Sequence, residues 1–135
     1  MKAIADTGPI VALINRRDTH HGWAVEVFDR VEKPLLACEA VLAEAAFHTR
    51  LPDTILALVE DGILQLAFDV NQNLPHLREL ADRFVDRSPD LADLCLIRMS
   101  ELHPKHVVVT VDEADFRVYR RNKREVIPLL CPPRS

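Results

Sequence analysis

The sequence predicts a single α/β domain built on a mostly parallel sheet with helices on both faces. Three observations lead there. Short β-compatible apolar runs alternate with helical segments from one end of the chain to the other. At 135 residues the chain suits one domain with its own core, and no repeat, low-complexity tract or Gly/Ser linker divides it. An apolar fraction of 48% and a charged fraction of 28% are those of an ordinary globular protein, and no apolar stretch approaches the roughly 20 residues of a membrane helix.

The elements follow in order. Lys2 to Ala5 is a short strand leaving at Asp6-Thr7-Gly8-Pro9, where a helix that tolerates Pro in its first turn begins. With Asp6 interrupting its apolar run and no small-residue cleavage site after it, this opening reads as a first strand, not an export signal. Ile10 to Asn15 carries the helix. Trp23, Val27, Phe28 and Val31 recur at helical spacing, so Gly22 to Val31 pairs with it, and Trp23 and Phe28 read as core rather than as a base-stacking platform. Pro34 to Cys38 is a second strand; Glu39 to Arg50, rich in Ala, Leu and Glu, is helical, and Pro52 is expected to break it. Thr54 to Glu60 is a short helix closed near Gly62, Ile63 to Phe68 alternates like a strand, and Leu74 to Val85 is helical. Ser88-Pro89-Asp90 opens a helix reaching Leu102. Val107 to Val111 is the most β-branched run, and Glu113 to Tyr119 and Val126 to Leu130 supply a last helix and strand before a PPRS tail expected to fray.

Cys38, Cys95 and Cys131 are odd in number, widely spaced and set among apolar neighbours, which suits free thiols in a reducing cytoplasm better than a disulfide framework or a zinc knuckle. A net charge of −4 argues against bulk, non-specific nucleic-acid binding but not against a nuclease, because a pocket of carboxylates lowers the total by itself.

Four acids stand where the chain would bury them: Asp6 closing AIA, Glu44 inside AVLAEAAF, Asp93 inside LADLCLI and Asp112 after VVVTV. An unpaired carboxylate taken out of water costs several kcal/mol or shifts its pKa until it is neutral, so repeated burial implies a cation to hold the acids. In an open parallel sheet, ligands gather beyond the carboxyl ends of the strands, where Asp6 and Asp112 lie; Glu44 and Asp93 belong to helices whose apolar neighbours turn them inward. Four such oxygen donors suit Mg²⁺ or Mn²⁺, as one ion or two, and the chemistry they support is phosphodiester hydrolysis with no side-chain nucleophile. Each acid also has a local role open to it: Asp6 and Asp112 as helix caps, Glu44 paired with His48, Asp93 paired with Arg98. Four separate explanations must then hold together, and the shared site is the more economical reading.

DTGPIVALIN, VLAEAAF, DLADLCLIRMSE and VVVTVDEADFRVYR resemble, in order and spacing, the four acidic segments of PIN-domain ribonucleases, especially the small toxins of VapBC-type toxin-antitoxin pairs. The resemblance spans nearly the whole chain. It implies a three-layer α/β/α, Rossmann-like PIN fold with a five-stranded sheet, Mg²⁺- or Mn²⁺-dependent endonucleolytic cleavage of RNA, homodimers, and inhibition by a small antitoxin whose C-terminal peptide enters the active-site groove. Asp6, Glu44, Asp93 and Asp112 match the metal-binding acids, and Thr7 and Thr110 the accompanying hydroxyls. Asp90 and Asp115 are second choices, the one as a first-turn residue and the other as a solvated one. Leu94 and Cys95 are bulkier than the small residues the family often shows after the third acid.

Arg117, Arg120, Arg121, Lys123 and Arg124 form the one dense basic cluster, which would grip an RNA backbone beside the fourth acid or serve as a solvated turn. His20 and His21 read as surface residues at a helix start. A phosphoacceptor signalling domain is the best rival, with Asp6, Asp69 and Thr110 at strand ends; receiver domains, however, should bring paired acids after the first strand and a Lys after the last, where this chain has Asp6-Thr7 and Leu130-Cys131-Pro132. A haloacid-dehalogenase-type phosphatase should show Asp-x-Asp, and position 8 is Gly. A catalytically silent RNA-binding relative should have lost an acid, and none is lost.

Overall fold

The computed structural model describes residues 1–134; Ser135, in the tail expected to fray, lies outside them. Five short strands form the central sheet: β1 (Ala3–Ala5), β2 (Leu35–Ala37), β3 (Leu64–Leu66), β4 (Val107–Val109) and, after a small hairpin of β5 (Arg120–Arg121) and β6 (Glu125–Val126), β7 (Leu129–Leu130). All neighbours in the order β3-β2-β1-β4-β7 are parallel, with Ile4 opposite both Leu36 and Val108. Ile4, Leu35 and Val108 have no exposed surface, as expected of strands covered on both faces, which read as continuous apolar runs rather than alternating ones.

Among the described residues, seven α-helices cover the sheet in a three-layer α/β/α arrangement: α1 (Thr7–Ile14), α2 (His21–Arg30), α3 (Glu39–Thr49), α4 (Pro52–Glu60), α5 (Leu74–Arg83), α6 (Leu91–Leu102) and α7 (Glu113–Val118). α1 packs on α2 and α3, α3 on α4 and α6, and α5 on α6. Val27, Phe28 and Val31 of the second helical segment are buried, with Trp23 packed against the core from its edge. No helix among the described residues is long and apolar enough to cross a membrane. Cys38, Cys95 and Cys131 are free thiols, the first two buried.

Boundaries differ from the sequence reading for physical reasons. α1 starts at Thr7, two residues before the Pro9 expected in its first turn, because the Asp6 carboxylate accepts the Thr7 N–H and caps the helix there. Pro52 opens α4 rather than breaking α3: Arg50, in the left-handed region at φ 56°, has already closed α3, and Pro suits a first helical position. The segment expected to be one strand from Val126 to Leu130 is divided. Asn122 and Lys123, at φ 48° and 70°, turn the chain back so that Arg121 pairs with Glu125 and Arg120 with Val126, while only Leu129–Leu130 joins the main sheet.

From β1 the chain moves to β2 and β3 on one side, then returns to β4 and β7 on the other, so strand order reverses between β1 and β4. A crevice opens at the carboxyl ends of two such strands. The Asp6 N–H donates to Val109 O at 3.0 Å, joining the two strand exits, and α1 begins so close to the exit of β4 that a Cβ on Gly8 would run into the Val111 side chain. Only Gly fits that approach.

Candidate metal centre

The crevice is a pocket of about 360 Å³, bordered by Asp6, Glu44, Asp90, Asp93 and Asp112 and, from the turn between α1 and α2, by Asp18. Asp6 leaves β1; Glu44 comes from the middle of α3; Asp90 caps α6 and Asp93 lies in its first turn; Asp112 precedes α7. All four acids predicted as the site therefore border one pocket, with Asp90 as a fifth and Asp18, which the sequence did not single out, as a sixth. Asp115 does not border the pocket: its Oδ1 accepts from Arg87 Nη2 at 2.8 Å, outside it.

Hydroxyls fix the acids. Thr110 Oγ1 donates to Asp6 Oδ2 at 2.7 Å and accepts the Asp112 N–H at 2.9 Å, while Asp6 Oδ1 accepts the Thr7 N–H at 2.7 Å. Thr7 Oγ1 donates to Glu44 Oε1 at 2.8 Å. The two threonines singled out in the sequence thus orient two of the carboxylates. Tyr119, placed only at the end of a helix by the sequence, donates its hydroxyl to Asp93 Oδ2 at 3.0 Å and is itself fully buried, its ring edge-on to those of Phe84 and Phe116. A buried Tyr needs a partner for its hydroxyl, which was the one available signal.

The local roles open to the acids are partly real and do not exclude the shared site. Asp6, Asp90 and Asp112 do cap helices, accepting the N–H groups of Thr7, Asp93 and Asp115. Asp93 does not pair with Arg98, whose guanidinium bonds Asn73 and Glu101. Glu44 takes the Thr7 hydroxyl and makes no hydrogen bond to His48. His20 stands half-buried at the start of α2 and also borders the pocket, whereas the His21 ring bonds Ala12 O at 2.7 Å.

The electrostatics are those of crowded, under-compensated anions. Burial pushes Asp6 up to about 6, against the pull of the Thr110 and Thr7 hydrogen bonds. Asp93 is pushed up to about 7, first by burial and then by the charge of Asp90, with the Tyr119 hydroxyl pulling the other way. Glu44 and Asp112 are raised in the same direction, mainly by burial. The Tyr119 phenol is raised by its own burial and then by the Asp93 charge. None of the six acids makes a salt bridge among the described residues, and the cationisable side chains lining the pocket are His20 and His48.

A hard divalent cation fits this donor set. Glu44, Asp90, Asp93 and Asp112 each have one oxygen engaged by a protein hydroxyl or N–H, leaving the other for a ligand, and all the donors are oxygens. No group of three or more His, Cys, Asp or Glu among the described residues is placed to hold a metal ion as it stands, so the carboxylates would have to close inward on one.

The basic cluster is not part of the pocket. Arg121 is buried and structural: its Nη1 donates to Ser100 O, Ser100 Oγ and Pro104 O, and its Nε to Glu125, anchoring the hairpin to the end of α6. Arg120 Nη1 donates to the carbonyls of Arg117, Val118 and Tyr119, and Arg117 pairs with Glu113. Lys123 and Arg124 are exposed at the hairpin turn.

The rival phosphoacceptor reading loses support. Asp69 Oδ1 accepts the Gln72 N–H, and Asp69 borders a different cleft of about 540 Å³ beside Cys38 and Cys95. In chain order the five strands run 3-2-1-4-5, not the 2-1-3-4-5 of flavodoxin-like signalling folds. No protein-family model and no curated protein matches this chain.

Proposed function

We propose that the protein is a Mg²⁺- or Mn²⁺-dependent endoribonuclease that hydrolyses RNA phosphodiester bonds. The observation that carries this reading is six carboxylates from five separated segments on one pocket at the strand-order reversal, with no Arg or Lys among its lining residues. Asp6, Glu44, Asp93 and Asp112 would hold the ion, with Asp90 beside them. When bound, the ion supplies an activated water and neutralises charge on the leaving oxygen, so no protein nucleophile is needed. The chain's part is to orient and to desolvate. Thr110 and Thr7 fix the Asp6 and Glu44 carboxylates, Tyr119 fixes Asp93, and burial raises the energy of the unpaired anions so that a divalent cation is preferred to water.

Purified protein is expected to cut RNA with Mg²⁺ or Mn²⁺ and to stop in EDTA, and Asp6→Asn or Asp93→Asn to abolish cutting while leaving the far-UV circular dichroism unchanged. Full cleavage by those variants would remove the assignment. The finer reading, a cytoplasmic, homodimeric toxin of a type II toxin-antitoxin pair restrained by a small antitoxin protein, rests on the family resemblance. Its test is expression in a bacterial host: growth arrest relieved by the partner supports it, and harmless expression of a nuclease-active protein sinks it.

A further inference from the structure

The acidic pocket does not end at its own rim. A second cavity of about 280 Å³ shares Val11 and His48 with it, so one groove runs from the carboxylates out between the end of α1 and the end of α3. Along that groove the chemistry changes sign. Beyond His48 come Arg16 and Asn15, over a floor of Ile14 and the half-exposed Leu51. Arg16 makes no hydrogen bond or salt bridge among the described residues, so its guanidinium is free for a ligand. Asn15 Oδ1 is fixed by the Arg17 N–H at 3.0 Å, which leaves its NH₂ donors for a ligand. Thr49 also borders the cavity, but its hydroxyl is already engaged by Ala45 O and the Leu51 N–H. The His48 ring packs edge-on to exposed Phe47, with centroids 5.6 Å apart.

Resting on the endoribonuclease reading, we propose that this groove is the subsite for the nucleotide flanking the scissile phosphate of single-stranded RNA. Arg16 contacts the adjacent backbone phosphate, the apolar floor receives the base, and Asn15 donates to its edge. The charge pattern favours a polyanion: one phosphate lies on the cation-seeking carboxylates and the next needs a protein cation, which Arg16 supplies with His48 between them. A small groove with an apolar floor suits an unstacked base and not a duplex. Arg16 thereby becomes an affinity determinant and Asn15 a specificity determinant.

The test uses fluorescein-labelled single-stranded RNA and the full chain. In a cleavage-blocked Asp6→Asn background, Arg16→Ala is expected to weaken binding about five- to tenfold at low salt and to lower the slope of log K against log salt by about 0.7, the value of one phosphate contact on a single strand. In the chain with Asp6 intact, Asn15→Ala is expected to redistribute cleavage among sites in a mixed-sequence RNA. Made singly with Asp6 intact, Arg16→Ala and Asn15→Ala should both retain the parent's Mn²⁺-induced rise in melting temperature, which shows an intact fold and carboxylate centre. If the parent cuts RNA but Arg16→Ala and Asn15→Ala bind and cut as it does, the subsite is wrong while the nuclease reading stands. If the parent neither binds nor cuts RNA, the nuclease reading falls first and the subsite with it.

Discussion

Replacing Asp6 by Asn should stabilise the metal-free protein at neutral pH and destabilise it in acid, below the ordinary carboxylate range. Asp6 is 8% exposed, and burial lifts its pKa from 3.8 to about 6. The folded state therefore holds the proton more tightly than the unfolded state, so the stability linked to this group is fully present below about pH 4 and is lost as pH rises through about 6. Roughly two pKa units at about 1.4 kcal/mol each leave the ionised carboxylate unfavourable by about 3 kcal/mol at neutral pH. Asn keeps the Oδ1 acceptor for the Thr7 N–H. Its NH₂, however, replaces the Oδ2 that accepts from Thr110, stranding that buried hydroxyl proton at a cost of about 1 kcal/mol or somewhat more. The net gain is about 1 to 2 kcal/mol near pH 7.5, or roughly 3 to 8 °C in melting temperature for a chain of this size. Near pH 3, where Asp6 is mostly protonated in the folded and the unfolded state alike, only the Thr110 loss remains and the sign reverses by about 1 kcal/mol. Far-UV circular dichroism melts of parent and variant in EDTA at both pH values measure this. A variant that melts below the parent by the same amount at each pH would show that Asp6 carries no uncompensated charge, and the case for a cation in the pocket would lose its footing.

Three further outcomes are expected. Mn²⁺ at about one hundred times its Kd should stabilise the parent by about 2.7 kcal/mol, and Asp93→Asn should remove most of that gain in the same melt. Tyr119→Phe takes away the hydrogen bond that holds the Asp93 pKa down, so the carboxyl should stay protonated to a pH above its present value of about 7; the pH midpoint of Mn²⁺ binding by calorimetry should rise, and an unchanged midpoint would deny the hydroxyl that role. Gly8→Ala should cost about 1 to 3 kcal/mol in chemical denaturation, because its Cβ meets Val111, and Gly8→Ala with Val111→Ala should recover most of it; no recovery would place the strain elsewhere.

Much of this was legible locally. The strand runs, the helix starts and the four acids each carry their signal within a few residues: a β-branched run before Thr110, or a lone acid in AVLAEAAF. What escaped depends on partners far along the chain. Asp90 and Asp115 look alike in sequence, yet Asp90 is carried to the pocket rim as the cap of α6, while Asp115 is drawn away by Arg87, 28 residues earlier. Tyr119 meets Asp93 across 26 residues, a pairing no periodicity encodes. The run from Arg120 to Glu125 is so charged that it reads as solvated turn, although Arg121 is among the buried polar residues, and the left-handed backbone at Asn122 and Lys123 decides its shape. The groove past His48 likewise joins the ends of two helices more than 30 residues apart.

Only three rungs, Ala3 with Val107, Ile4 with Val108 and Ala5 with Val109, join β1 to β4. At about 3.3 Å per residue such a ladder is roughly 10 Å deep, no more than the thickness of one helix. A slide of one position would point each side chain of the displaced strand toward the opposite layer, carrying Thr110 away from Asp6 and putting Ile4 or Val108 against the wrong neighbours. Alignment errors are therefore punished at both ends at once, in the packing and at the anions. Loops beyond the sheet can lengthen without touching either, and variation in this molecule should accumulate there.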